Sequence, residues 1–111
     1  MYKQGDIVWV PYPLADQPGK TKVRPAIIIS NASSNALDND MLIAQITSVI
    51  RKDKFSFRIN NSEITTALPK ESEIRCNKIA TIRNSLVIGK LSSLKPDKHQ
   101  ELVRKIFLVF E

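Results

Sequence analysis

The 111-residue chain has one cysteine, one histidine and three glycines, and only 6% of it is aromatic. A lone thiol, Cys76, closes no internal disulfide. A single histidine, His99, leaves no ordinary zinc set, so neither metal nor other cofactor is expected. No apolar run approaches the roughly 18 residues of a membrane span, and no membrane association is expected. Residues 1–6, Met1-Tyr2-Lys3-Gln4-Gly5-Asp6, lack the apolar core of a signal peptide. With no disulfide to require oxidation, the cytoplasm is the expected compartment. Repeats, low-complexity tracts and linkers are also missing, which predicts one domain over residues 1–111. Acidic residues are scarce, 11 against 17 basic ones, for a net charge of +6 and a pI near 9.7. That balance favours a polyanionic partner.

The basic residues are unevenly placed. Lys20, Lys22 and Arg24 form one cluster. Arg51, Lys52, Lys54 and Arg58 form another, opposed only by Asp53. Both flank short apolar runs, Ala26–Ile29 and Met41–Ala44, of strand length and too short for globular helices. Before them, Ile7–Val10 reads as a β-branched and aromatic strand, with regular pairing expected to end at Pro11 and Pro13. Leu14–Lys22 reads as a long loop, and Asn31–Asp40 as a polar connection with room for a helical turn. Strands are expected over about Met41–Ile50, Phe55–Ile59, Ile74–Ala80 and Leu86–Leu91, with an edge or irregular segment at Ile64–Leu68. Thr81–Ser85 reads as a turn. Alternation in the Ile74–Ala80 strand sets Arg75 and Asn77 on one side, and Cys76 and Lys78 on the other.

The C-terminus differs in kind. Pro96 suits a first helical position and Asp97 its positive end. Leu102, Val103, Ile106, Phe107 and Phe110 recur at helical spacing, a stripe expected to pack on the sheet. The expected fold is α+β: a small antiparallel β-barrel with a C-terminal helix.

Chemistry concentrates at two points. Arg24 enters one strand at its start, and Thr47-Ser48 leave another at its end. If those strands are antiparallel neighbours, a guanidinium and two hydroxyls emerge at one end of the sheet, a place for a phosphate. The plainer alternatives are that Arg24 pairs structurally with Asp6 or Asp40 and that the hydroxyls only end a strand. Trp9 is most simply core, with base stacking as the other role. Cys76 is expected to be a small buried apolar group, and His99 an exposed helical residue.

Gly5-Asp6-Ile7-Val8-Trp9-Val10, the Gly-containing loop, Arg24-Pro25-Ala26-Ile27-Ile28-Ile29-Ser30, Ile46-Thr47-Ser48 and Lys78-Ile79-Ala80-Thr81-Ile82 together resemble the MazF/PemK toxin family over nearly the whole chain. The resemblance implies an SH3-like barrel of the CcdB/MazF kind, a homodimer, and a metal-independent endoribonuclease acting on single-stranded RNA. It also implies an antitoxin whose disordered acidic tail occupies the RNA groove. The family's catalytic arginine and threonine fall on Arg24 and Thr47, with Ser48 assisting. RNA-contacting positions fall on Lys54, Arg58, Asn77 and Lys78, joined by Lys20 and Lys22 of the first basic cluster. Many relatives carry a glutamate in the first loop and a Glu-Gln-Ile-Arg-like run, where this chain has Gln17-Pro18-Gly19-Lys20 and Asn77-Lys78-Ile79-Ala80. These departures bear on the cut-site preference. The alternative is a non-catalytic module resembling CcdB-type toxins, which bind DNA gyrase; it would need exposed apolar residues on the terminal helix.

Overall fold

The computed structural model describes residues 2–111; Met1 lies outside them. Six strands, β1 (Asp6–Pro13), β2 (Thr21–Ile28), β3 (Asp40–Thr47), β4 (Ser56–Ile59), β5 (Ser72–Arg83) and β6 (Gly89–Ser93), form one antiparallel sheet in the order β4-β5-β3-β2-β1-β6. A short helix α1 (Ala32–Asp38) joins β2 to β3, and α2 (His99–Phe107) closes the chain. The Asn31 side chain caps α1 by accepting from the Ser34 amide, and Asn39 ends it in the left-handed conformation that asparagine tolerates.

Both faces of the central strands are buried, which is why β2 and β3 read as continuous apolar runs instead of alternating. On one face Ile7, Ile27, Ala44, Ile46, Phe57 and Ile74 pack with Leu102 and Ile106 of α2. On the other, Val8, Val10, Tyr12, Ala26, Ile28, Ile43 and Ile82 pack together. The Tyr12 hydroxyl on β1 donates to the Lys78 carbonyl on β5 at 2.5 Å, although β2 and β3 lie between them. Neighbouring strands are about 4.8 Å apart, so a tyrosine spans that gap only because the sheet curls over this face. The curl brings the edges near each other without a closing ladder. One bridge, Ile64↔Leu94, joins the segments beyond β4 and β6, helped by Thr65 N–H to the Ser93 carbonyl (2.9 Å) and Lys95 N–H to the Glu63 carbonyl (2.8 Å). The sheet is therefore open, and the irregular segment expected at Ile64–Leu68 supplies this contact.

Several sequence expectations are corrected. β1 runs through Pro11 and Pro13, paired with Val23 and Thr21. Trp9 gives its carbonyl to the Ile88 amide on the β6 side. By alternation the proline nitrogens face that same side, beyond the last β1–β6 pair at Trp9↔Gly89, where no donor is needed. β3 stops at Thr47, short of Ile50, and β5 continues to Arg83 through the expected turn. Alternation in β5 fails at a bulge: Arg75 faces Gln45 and Ile79 faces Ala44, leaving Cys76, Asn77 and Lys78 as extra residues. The C-terminal stripe is only half core, since Phe107 at the end of α2 and Phe110 beyond it are 59% and 73% exposed.

His99 is half-buried, not exposed. Its Nε2 lies 3.0 Å from the Leu94 carbonyl, an acceptor, so Nε2 carries the proton. The ring packs on Gly5, whose φ is +92°, and a Cβ there would sit 2.2 Å from Nε2. Gly5→Ala is expected to combine left-handed strain with loss of the His99 contact, lowering stability by about 2–3 kcal/mol. Thermal unfolding of the variant checks this; an unchanged midpoint would mean the ring moves aside freely.

Candidate functional site

β2 and β3 pair at Ala26↔Gln45, Ile27↔Ala44 and Ile28↔Ile43. Continuing that register two residues outward sets Arg24 opposite Thr47, and directly opposed residues share a sheet face. The ladder itself stops before reaching them, for a chemical reason. The Ile29 amide donates to Leu42 across the strands. By alternation Ile27 and residue 25 point the same way, but residue 25 is proline and has no N–H to give. The strands part at Pro25, and a cavity of about 450 Å³ opens there.

Arg24, Thr47 and Ser48 all line this cavity, together with Lys22, Trp9 and Pro25. Its far wall is the β4–β5 connection, Leu68, Pro69 and Lys70. Trp9 belongs to neither core cluster; it is half-buried and forms cavity wall instead of the expected packing. Arg24 is not taken up structurally. Asp6 bonds Ser93 and Lys90, Asp40 pairs with Arg83, and among the described residues no carboxylate stands within ion-pair reach of Arg24. Thr47 Oγ1 accepts from the Val49 amide at 3.1 Å, which fixes the oxygen and leaves its O–H free to donate. The lining thus combines a guanidinium residue, two hydroxyl residues and the lysines Lys22 and Lys70 with apolar ones, residue types suited to an anion.

The remaining predicted residues divide. Arg58 lines a second hollow of about 350 Å³ with Asn60, Asn61 and Lys70, sharing the Leu68–Lys70 ridge with the first; it pairs at 2.8 Å with exposed Glu71. Such an exposed pair is weak, about 0–1 kcal/mol. Asn77 and Lys78 are exposed on the β5 bulge, which Tyr12 pins through the Lys78 carbonyl. Tyr12 shares the concave face with Arg24: burial pushes its phenol up to about 12, and the Arg24 charge pulls the other way. Lys54 lies 5.8 Å from the Phe55 ring. Lys20, in the turn between β1 and β2, is exposed and outside both hollows. Cys76 is buried, and burial pushes its thiol up to about 11, where it is inert. Among the described residues no three carboxylate, thiol or imidazole groups converge as metal ligands would.

Sequence reading missed a charged cluster beside Thr47. Glu73, paired across the ladder with Thr47, is 1% exposed, and Arg75 is 4% exposed. One Glu73 oxygen accepts the Arg51 and Lys52 amides at 2.9 and 3.3 Å; the other accepts the Ser56 hydroxyl at 2.5 Å and Arg75 Nη1 at 2.6 Å. Asp53 takes both Arg75 terminal nitrogens, at 3.1 and 2.9 Å. The Arg75 hydrogen bonds first, helped by the Phe55 amide and Ser56, hold the Asp53 carboxyl down to about 2. Burial opposes the Glu73 charge, yet the bonds from Ser56, Arg75 and the two amides outweigh it and keep its pKa below the ordinary range. With four donors on two oxygens, Glu73 is saturated. The signal was present in Ser72-Glu73-Ile74-Arg75, opposite charges two residues apart on one strand face.

A family model described as PemK-like, MazF-like toxin of type II toxin-antitoxin system matches residues 3–110. Solved structures share the fold at low identity. One, described as an endoribonuclease in complex with its cognate antitoxin from Mycobacterial species, superposes with a TM-score of 0.78 at 14% identity, over 99% of this chain and 95% of that one. MazF from Deinococcus radiodurans gives 0.76 at 17% identity, over 98% and 96%. The Mycobacterium tuberculosis toxin MazF-mt6 gives 0.72 at 18% identity, over 95% of each chain.

Proposed function

Since the chain belongs to the PemK-like, MazF-like toxin family of type II toxin–antitoxin systems, we propose that it is a metal-independent endoribonuclease that cuts single-stranded RNA at the cavity between β2 and β3. The observation that carries this reading is the meeting of Arg24, which has no carboxylate partner among the described residues, and Thr47 at one opening. RNA brings its own nucleophile. The 2′-hydroxyl attacks the adjacent phosphorus in line, the P–O2′ bond forms, the P–O5′ bond breaks, and a 2′,3′-cyclic phosphate and a 5′-hydroxyl remain. Arg24 grips two non-bridging oxygens, most strongly as their charge peaks. Thr47, with Ser48, donates to the same phosphate. Lys22, Lys54, Arg58, Asn77 and Lys78 lie along the strand's path, and Lys20 serves from outside the cavity.

Proton movement is the modest part. Among the described residues the cavity wall holds no carboxylate and no imidazole, and Glu73 has no lone pair to spare. Water takes the proton from the 2′-oxygen and supplies one to the departing O5′. The chain thereby forgoes the roughly 10²–10⁴-fold that a matched acid–base pair contributes, which suits a slow, selective growth inhibitor. The proposal extends to a homodimer, to action in the cytoplasm, and to an antitoxin with an acidic tail that competes for the basic cavity. The curl of the sheet supports reading it as an SH3-like barrel.

The test is incubation of the purified chain with a long RNA in EDTA, followed by mapping of the new ends. Cyclic phosphate and 5′-hydroxyl ends are expected; 5′-phosphate ends, or a strict need for metal, would overturn the mechanism. The gyrase-binding alternative predicted exposed apolar residues on the terminal helix. Phe107 and Phe110 are exposed, but the family match and the structural relatives lend that reading no support. Growth arrest with all RNA intact would revive it.

A further inference from the structure

We propose that Glu73 is a positioning residue that fixes the basic β3–β4 loop at the RNA site. This rests on the endoribonuclease reading and deepens it. The loop leaves the cavity at Ser48 and Val49 and carries exposed Arg51, Lys52 and Lys54 before β4 begins at Ser56. A stretch with three cations held close is self-repelling, and left alone it would sample many conformations. Glu73 ties it at three points: the Arg51 amide, the Lys52 amide and the Ser56 hydroxyl.

The bond to Lys52 is informative, because Lys52 has φ +54°, a left-handed conformation that a lysine adopts only when its surroundings impose it. Asp53 completes the fastening. Its Oδ1 accepts from the Phe55 amide, its own amide donates to Ser56 Oγ, and its carboxylate clamps Arg75, which also bonds Glu73. Glu73 is buried away from solvent, so none of these bonds touches substrate. Its charge also stands beneath the cationic loop, drawing the backbone inward while the lysine and arginine side chains turn out. The loop's phosphate-binding groups are thereby ordered before RNA arrives, and the ordering cost falls on folding instead of on binding.

The test compares Glu73→Leu, which removes every acceptor, with Glu73→Gln, which keeps the oxygen facing the Arg51 and Lys52 amides. If Glu73→Leu alone does not fold, Glu73→Leu with Arg75→Met removes both buried charges and takes its place. Two readouts are made on folded protein well below its melting point. Amide exchange by NMR should show the Arg51 and Lys52 N–H groups protected in the wild type and in Glu73→Gln, and exposed in the leucine variant. KM for a single-stranded RNA should rise about tenfold in the leucine variant with kcat changed by less than about threefold, since binding, not bond breaking, is what weakens; Glu73→Gln should recover most of the loss. Unchanged amide protection, or unchanged KM in a folded leucine variant, overturns the assignment, as does a loss confined to kcat. Failure of the nuclease reading looks different, because it appears in the wild type as an absence of both RNA binding and cleavage.

Discussion

Replacing Arg24 with alanine should lower the rate of RNA cleavage by about 10²–10³-fold, the usual loss when a preorganised donor to developing negative charge is removed. The melting temperature should hardly move, because Arg24 is half-exposed and makes no ion pair among the described residues. Activity and stability are thus expected to separate at this position. Arg24→Lys keeps the charge but loses the two-pronged geometry, so it should recover only part of the rate. Single-turnover cleavage of a labelled RNA in EDTA measures both. An undiminished rate in Arg24→Ala would take this side chain out of the mechanism while leaving the fold intact.

The meeting of Arg24 and Thr47 was legible because strand periodicity is a short-range property. Two apolar runs of strand length, with polar residues between them and hydroxyls at the far end, bring Arg24 and Thr47 to one end of the sheet if the runs pair as antiparallel neighbours. The β2–β3 register bears that geometry out. What the sequence hid depends on curvature and on missing neighbours. Pro11 and Pro13 look like strand breakers until the β1–β6 ladder is seen to stop at Trp9↔Gly89, leaving their nitrogens facing an unpaired edge. Trp9 looks like core until β2 and β3 part and leave it at a cavity wall. His99 looks exposed on a helix until Gly5, nearly a hundred residues away in sequence, is packed beneath it. The β5 bulge has no local cue, since Cys76-Asn77-Lys78 would continue the alternation perfectly well.

The second large effect belongs to Arg75. Arg75→Ala should cost about 3–5 kcal/mol, the range seen when one member of a buried ion pair is removed and the other is stranded. Against the roughly 5–15 kcal/mol that holds a typical domain together, that is enough to bring unfolding close to the assay temperature. The acid response supplies a second signature. Asp53 at about 2 and Glu73 below its ordinary range are both lowered on folding. Their stabilising contribution is complete above the unfolded carboxylate values near 4 and fades as pH drops through the lower folded ones. In the alanine variant Glu73 stays buried without its guanidinium, so its pKa climbs and the acid limb of the stability curve moves to higher pH. Urea unfolding from pH 7 down to pH 3 measures the cost and the displacement together. A variant as stable as the parent, with an unmoved acid limb, would mean that the Arg75 charge is dispensable to the cluster.

At Pro25 a single absent hydrogen stops two strands from zipping any further. The width of the opening is therefore written into the covalent chain, present in every copy from the moment it folds. No ligand has to prise the strands apart, and none can be refused by their closing.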